Sequence, residues 1–142
     1  MNLSIIIPCY NEEEVLPLIL KRLNTLSSDW TSRDGFTGIE FVLVDDGSQD
    51  RTYDLLTETS KEDKRVKVVR FSRNFGHQAA LLAGYEFAQG DVIVSLDADL
   101  QDPPELIKTM LDKIMEGYNV VYATHNQEKV LLMDLVGIWT DL

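Results

Sequence analysis

The sequence predicts an α/β domain built on an open, mostly parallel, Rossmann-like sheet with helices on both faces. Three observations predict it. Short β-branched apolar runs of strand length alternate with helix-period segments along most of the chain. The runs are nearly continuous in their apolar character, as in strands covered on both faces. Four of them stop abruptly in polar, turn-forming residues, which is where an open parallel sheet collects its ligands. A length of 142 residues with 44% hydrophobic and 26% charged side chains suits one such domain and excludes disorder, collagen and a disulfide scaffold.

The first strand is expected over residues 3–7, Leu-Ser-Ile-Ile-Ile, stopped by Pro8. Asn11 then reads as a helix N-cap, with Glu12, Glu13 and Glu14 in a first turn where acids favour the macrodipole. Val15, Leu18, Ile19, Leu23 and Leu26 form the helix's apolar stripe, with Pro17 a potential kink. A polar stretch over residues 27–38 reads as a loop, and residues 39–44 as the second strand. A helix over residues 50–60, a strand over 66–71 and a helix over 77–89 closed by Gly90 follow. Residues 91–96 read as the fourth strand, and Pro103-Pro104 opens a helix reaching residue 116. Residues 119–123 read as a fifth strand. In the tail, residues 124–142, Leu131, Leu135, Ile138 and Leu142 fall at helical spacing. The tail helix is expected to pack on the sheet or on a second copy of the chain, making a homo-oligomer; lying on a membrane surface is the alternative, although basic residues are lacking there.

Thirteen Lys and Arg against twenty-four Asp and Glu leave a net charge of −11, which repels phosphate backbones and argues against nucleic acid as a partner. An anionic ligand would need local help from a metal ion, backbone N–H groups or a few placed arginines. The single cysteine, Cys9, excludes an intrachain disulfide and fits a reducing compartment and a small buried hydrophobe. The N-terminus lacks a basic region and its apolar stretch breaks at Pro8, so a cytoplasmic location without a signal peptide is expected. No window approaches the roughly 18 uninterrupted apolar residues of a membrane span.

The chemistry gathers at the strand ends. Asp97 and Asp99, two apart in extended backbone, point their carboxylates to one side, and two close like charges call for a cation. Hard oxygen ligands beside a diphosphate suit Mg²⁺ or Mn²⁺, with Gln101 able to add a neutral oxygen. Of Asp45 and Asp46 only one can face the crevice of a regular strand, there to accept hydrogen bonds from a base or ribose; a capped turn through Gly47 at positive φ is the plainer reading. Arg73 is the base placed to meet a phosphate, or else a partner for a surface acid, and His77 reads as a polar residue at a helix start. No nucleophile triad and no Cys/His zinc spacing is present.

Four ordered motifs carry a resemblance: Ile7-Pro8-Cys9-Tyr10-Asn11-Glu12, Val44-Asp45-Asp46-Gly47-Ser48-x-Asp50-x-Thr52, Ser72-Arg73-Asn74-Phe75-Gly76-His77-Gln78-Ala79-Ala80, and Asp97-Ala98-Asp99-Leu100-Gln101-Asp102-Pro103-Pro104-Glu105. Together they resemble the GT-A fold family 2 glycosyltransferases, most closely the bacterial polyprenyl-phosphate (bactoprenol) glycosyltransferases and dolichol-phosphate mannose synthase. The resemblance implies a nucleotide-sugar-binding core over residues 1–123 followed by an atypical tail over residues 124–142. It implies nucleotide-sugar contacts from Pro8, Tyr10, Asn11, Glu12, Asp45, Asp46, Arg73 and Asp97, catalytic roles for Asp97 and Asp99, and metal ligation by Asp97, Asp99 and Gln101. The implied donor is a nucleotide-diphosphate sugar, UDP-linked or GDP-mannose. The implied acceptor is a polyprenyl phosphate at the inner face of the membrane, and the reaction inverts the anomeric carbon. The Arg-rich acceptor segment expected after the fifth strand is replaced by Thr124-His125-Asn126-Gln127-Glu128-Lys129. The alternative is therefore a catalytically incomplete nucleotide-sugar-binding or oligomerising domain.

Overall fold

In the computed structural model, which describes residues 1–33, 35–99, 103–125 and 128–134, the chain runs β1 (Asn2–Cys9), α1 (Leu16–Arg33), β2 (Gly38–Asp45), α2 (Thr52–Glu62), β3 (Val66–Arg70), α3 (His77–Phe87), β4 (Val92–Ser95), α4 (Leu106–Met115), β5 (Val120–His125) and β6 (Glu128–Asp134). The strands form one sheet in the order β3-β2-β1-β4-β6-β5. β1 pairs in parallel with β2 and β4, and β2 with β3, so these four strands end on one rim. Strand order reverses at β1: the chain steps outward through β2 and β3, then crosses back to β4. That switch opens a crevice between the ends of β1 and β4.

Alternation along β1 sorts the core into two layers. Leu3, Ile5, Ile7 and Cys9 face α1, α2 and α4, meeting Leu16, Leu23, Trp30, Leu56, Ile107 and Leu111. Ile6 faces the other way, with Val42, Val44, Ile93 and Ala80 of α3. Helices therefore cover both faces, as the sequence predicts. Gly84 is what lets α3 lie close, since a Cβ there would stand 2.2 Å from Ile6 Cγ2. Gly84→Ala forces helix and sheet apart. The expected cost is about 1 to 3 kcal/mol, read as a lower midpoint in urea with an unchanged slope.

Several elements differ from the sequence expectations, each for a physical reason. The stretch expected as a loop after residue 26 continues α1 to Arg33, because Trp30 extends the stripe of Leu23 and Leu26 and is 1% exposed. Asn11 is not the N-cap: its φ is +51°, and α1 starts at Leu16, placing Pro17 in the first turn, where its missing N–H has no intrahelical partner to lose. Gly90 does not cap α3, whose C-cap is the extended Ala88. Gly90 instead allows a close approach to β1, since a Cβ there would meet Ser4 N at 2.7 Å. The tail is a strand, not a helix, over Glu128–Asp134: β6 runs antiparallel to both β4 and β5. Val130-Leu131-Leu132-Met133 is a short unbroken apolar run, which periodicity alone cannot assign, and a place between two strands decides it. Residues 135–142, the rest of the expected helix, lie outside the described residues. Among the described residues no helix is long and apolar enough to cross a membrane.

Candidate active site

Parallel pairing delivers the ends of β1, β2 and β4 and the loop after β3 to one rim, around a cleft of about 560 Å³. Pro8, Tyr10 and Glu12 from the β1 end, Asp46 from the β2 end, Asn74, Gly76 and His77 from the β3–α3 loop, and Asp97 and Asp99 from the β4 end line it. Asp97 and Asp99 are half-buried on the cleft side while Ala98 between them is 3% exposed in the core. Both line the cleft, but not through the extended backbone expected from their spacing: β4 ends at Ser95, and Ala98 and Asp99 stand in a turn that follows it. Gln101, the third predicted metal ligand, lies outside the described residues.

Two loops make the platform beneath Tyr10 and Glu12. The Ser48 hydroxyl oxygen accepts from Asn11 N–H at 2.9 Å, and Asn11 Oδ1 accepts from Gln49 N–H at 2.8 Å. Thr52 Oγ1 accepts from Glu12 N–H at 2.8 Å, and Asp50 Oδ2 from Glu13 N–H at 3.3 Å. Asn11 thus acts behind the cleft, at the left-handed φ that Asn tolerates. Burial alone would raise Asp50, but hydrogen bonds from Thr52 and the Glu13 N–H hold it below its ordinary 3.8. Its folded value being the lower one, this contribution is complete above the ordinary value and is lost as pH falls through the lowered one. Amide exchange at Glu13 and Thr52 is expected to speed up, relative to the strands, below about pH 4, and Asp50→Asn should remove that acid-dependent step.

The two adjacent acids of β2 divide as strand geometry requires. Asp46 lines the cleft at 3% exposure, and its carboxylate accepts from Phe75 N–H at 2.8 Å and Gly76 N–H at 3.2 Å, clasping the β3–α3 loop. Asp45 does not reach the cleft. It is fully buried, its Oδ1 accepts from Ser48 N–H at 3.2 Å, and its Oδ2 stands 3.7 Å from Arg70 Nε. Arg73, expected to meet a phosphate, is likewise not among the lining residues; its guanidinium stands 4.6 Å from the centre of the Phe75 ring. Cys9 is buried among hydrophobes as expected. Burial, with Asp45 and Glu12 adding, pushes its thiol far up and keeps it unreactive.

His77, read from the sequence as a polar residue at a helix start, opens α3 and also lines the cleft. Gly76, at φ +100°, turns the chain into α3 so that His77 opens the helix with Nε2 3.4 Å from Asp97 Oδ1. The motif Asn74-Phe75-Gly76-His77 held the signal, since a glycine just before a helix on the functional rim aims the next side chain at the crevice.

The lining acids crowd one another. Burial, then the charges of Asp99, Asp50 and Asp97, push Glu12 above the usual carboxylate range. A divalent cation would relieve that crowding, and Asp97 and Asp99 are the hard oxygen donors such an ion takes. Among the described residues no group of three His, Cys, Asp or Glu side chains could hold a metal by itself.

The comparisons with known proteins agree with this geometry. The family model described as Glycosyl transferase family 2 matches residues 4–130. "Uncharacterized glycosyltransferase YkcC" of Bacillus subtilis is 50% identical over 126 residues, covering 89% of this chain and 38% of its own. Undecaprenyl-phosphate 4-deoxy-4-formamido-L-arabinose transferase of Pectobacterium carotovorum is 42% identical over 125 residues, covering 84% of this chain and 36% of its own. The chain thus spans less than two fifths of these relatives. Among solved structures, Staphylococcus aureus TarS residues 1–349 in complex with UDP-GlcNAc superposes with a TM-score of 0.63 at 22% identity, over 90% of this chain and 36% of that one. A mannosyltransferase of Pyrobaculum calidifontis in complex with GDP-Man and Mn²⁺ gives 0.59 at 21% identity, over 93% and 44%. These structures share the Rossmann-like fold of GT-A glycosyltransferases, and with the sequence match over most of its length the chain belongs to glycosyltransferase family 2.

Proposed function

We propose that this chain is the donor-binding part of an inverting glycosyltransferase that moves a sugar from a UDP-linked nucleotide-diphosphate sugar to a polyprenyl phosphate. One observation carries it: Pro8, Tyr10 and Asp46 line one cleft together with Asp97 and Asp99, at the switch point of a parallel sheet. In this reading Pro8 and Tyr10 line the base and ribose pocket and Asp46 contacts the base while clasping the Phe75–Gly76 segment. Asp97 and Asp99, with Gln101 assisting, would hold a Mg²⁺ or Mn²⁺ ion together with diphosphate oxygens, and such an ion supplies positive charge to the departing diphosphate.

The acceptor is inferred from the chemistry and from the name of the 42% identical Pectobacterium relative. A phosphate monoester is ionised near neutral pH, so its oxygen attacks the anomeric carbon without surrendering a proton to a base. The bond from that carbon to the diphosphate breaks as the bond to the acceptor phosphate forms on the opposite face. The protein's task is then alignment, which is what a rigid rim of strand ends provides. Membrane-surface work fits such a lipid acceptor, with the catalytic domain on the cytoplasmic side. The test is a titration of UDP, UDP-glucose and GDP-mannose into the chain in Mn²⁺, followed by sugar transfer to undecaprenyl phosphate. Selective uridine-nucleotide binding is expected; preference for GDP-mannose would overturn the donor assignment.

A further inference from the structure

Glu12, Asp46, Asp97 and Asp99 line the cleft, and among the described lining residues His77 carries the one basic side chain. A diphosphate brings further negative charge into this acidic space, so a lining side chain that can donate to it without adding a negative charge has a place there. The guanidinium of Arg73 is occupied with the Phe75 ring away from the lining. His77, by contrast, is fixed toward the cleft from two sides, by the turn at Gly76 and by the Asp46 clasp on the two residues before it. Its side chain is 56% exposed, so it is not spent on packing.

We propose that His77 is a binding residue for the diphosphate of the nucleotide sugar, its imidazole N–H donating to a phosphoryl oxygen beside Asp97. The inference rests on the donor site proposed above. An oxygen that shares an octahedral cation with Asp97 at an adjacent position lies about 3 Å from that carboxylate oxygen. The imidazole already stands 3.4 Å from Asp97 Oδ1, so a phosphoryl oxygen on the imidazole's side of the ion would fall within its reach. A neutral imidazole carries one N–H, and the contact therefore needs no change of charge.

The experiment compares UDP and uridine binding in Mn²⁺ for the parent chain, His77→Ala and His77→Gln, using calorimetry for UDP and ligand-observed NMR for the weaker nucleoside. His77→Ala is expected to weaken UDP about tenfold or more, the scale of one hydrogen bond to a charged group, with uridine unchanged. His77→Gln, which keeps a neutral N–H donor, is expected to recover part of the loss. Unchanged UDP affinity in His77→Ala overturns this inference alone, as does an equal loss for uridine and UDP, which would mark a structural role. A parent chain that binds no UDP overturns the donor site and this inference with it.

Discussion

Asp99→Ala is expected to reduce UDP affinity in Mn²⁺ by at least about 100-fold, the loss of an inner ligand exceeding the 10- to 100-fold cost of losing an outer one. The variant's stability is measured beside its binding. After burial, Asp99 is the foremost cause that holds Glu12 above its ordinary value, so deleting it should bring Glu12 closer to that value. Calorimetry with a parallel thermal melt separates the two readouts. A variant that melts like the parent yet has lost metal-dependent binding assigns the loss to chemistry. A variant that binds UDP as the parent does removes Asp99 from the site.

Gly47→Ala should have the largest effect on folding of any single methyl group added at the rim. Gly47 has φ +71°, and a Cβ there would meet the Arg73 carbonyl carbon at 2.2 Å and Asn74 N at 2.5 Å. Both obstacles are backbone, so no side chain can swing aside. Strain at the left-handed φ and overpacking act together, for an expected loss of about 2 to 4 kcal/mol and a fall in Tm on the order of 10 °C. The same turn presents Asp46 to the cleft and Ser48 to Asn11, so UDP binding should weaken even at temperatures where the variant is folded. Differential scanning calorimetry with a UDP titration at low temperature checks both. A variant within about 0.5 kcal/mol of the parent would mean that the β3–α3 loop can withdraw at little cost.

These two residues show what the sequence could and could not reveal. Asp97 and Asp99 were legible as acids at the carboxyl end of a parallel strand, although a turn after Ser95 and not period-two backbone carries them to the cleft, and Gly47 was legible because Asp-Gly-Ser is turn chemistry. The division of Asp45 from Asp46 was half legible: alternation says that one must turn inward, but only the Ser48 and Phe75–Gly76 contacts say which. Arg73 misled because a long side chain near a rim is free to choose a partner, and here its guanidinium stands over the aromatic ring two residues on. The longer α1 hid behind Ser27, Ser28 and Asp29, polar residues that lie beside a stripe continued by the buried Trp30. β6 hid because four consecutive apolar residues suit a helix face or a central strand equally, and neighbours distant in sequence, Val92 to Val94 and Val120 to Ala123, decide between them.

The most direct measurement is a crystal structure of the chain with UDP and Mn²⁺. The expected electron density places uracil between Tyr10 and Asp46, with the diphosphate bridged through the ion to Asp97 and Asp99 and within hydrogen-bond distance of His77. Nucleotide bound in the groove between α1 and α2 instead, lined by Leu20, Asn24, Thr59 and Glu62, or an ion held away from both aspartates, would contradict the account.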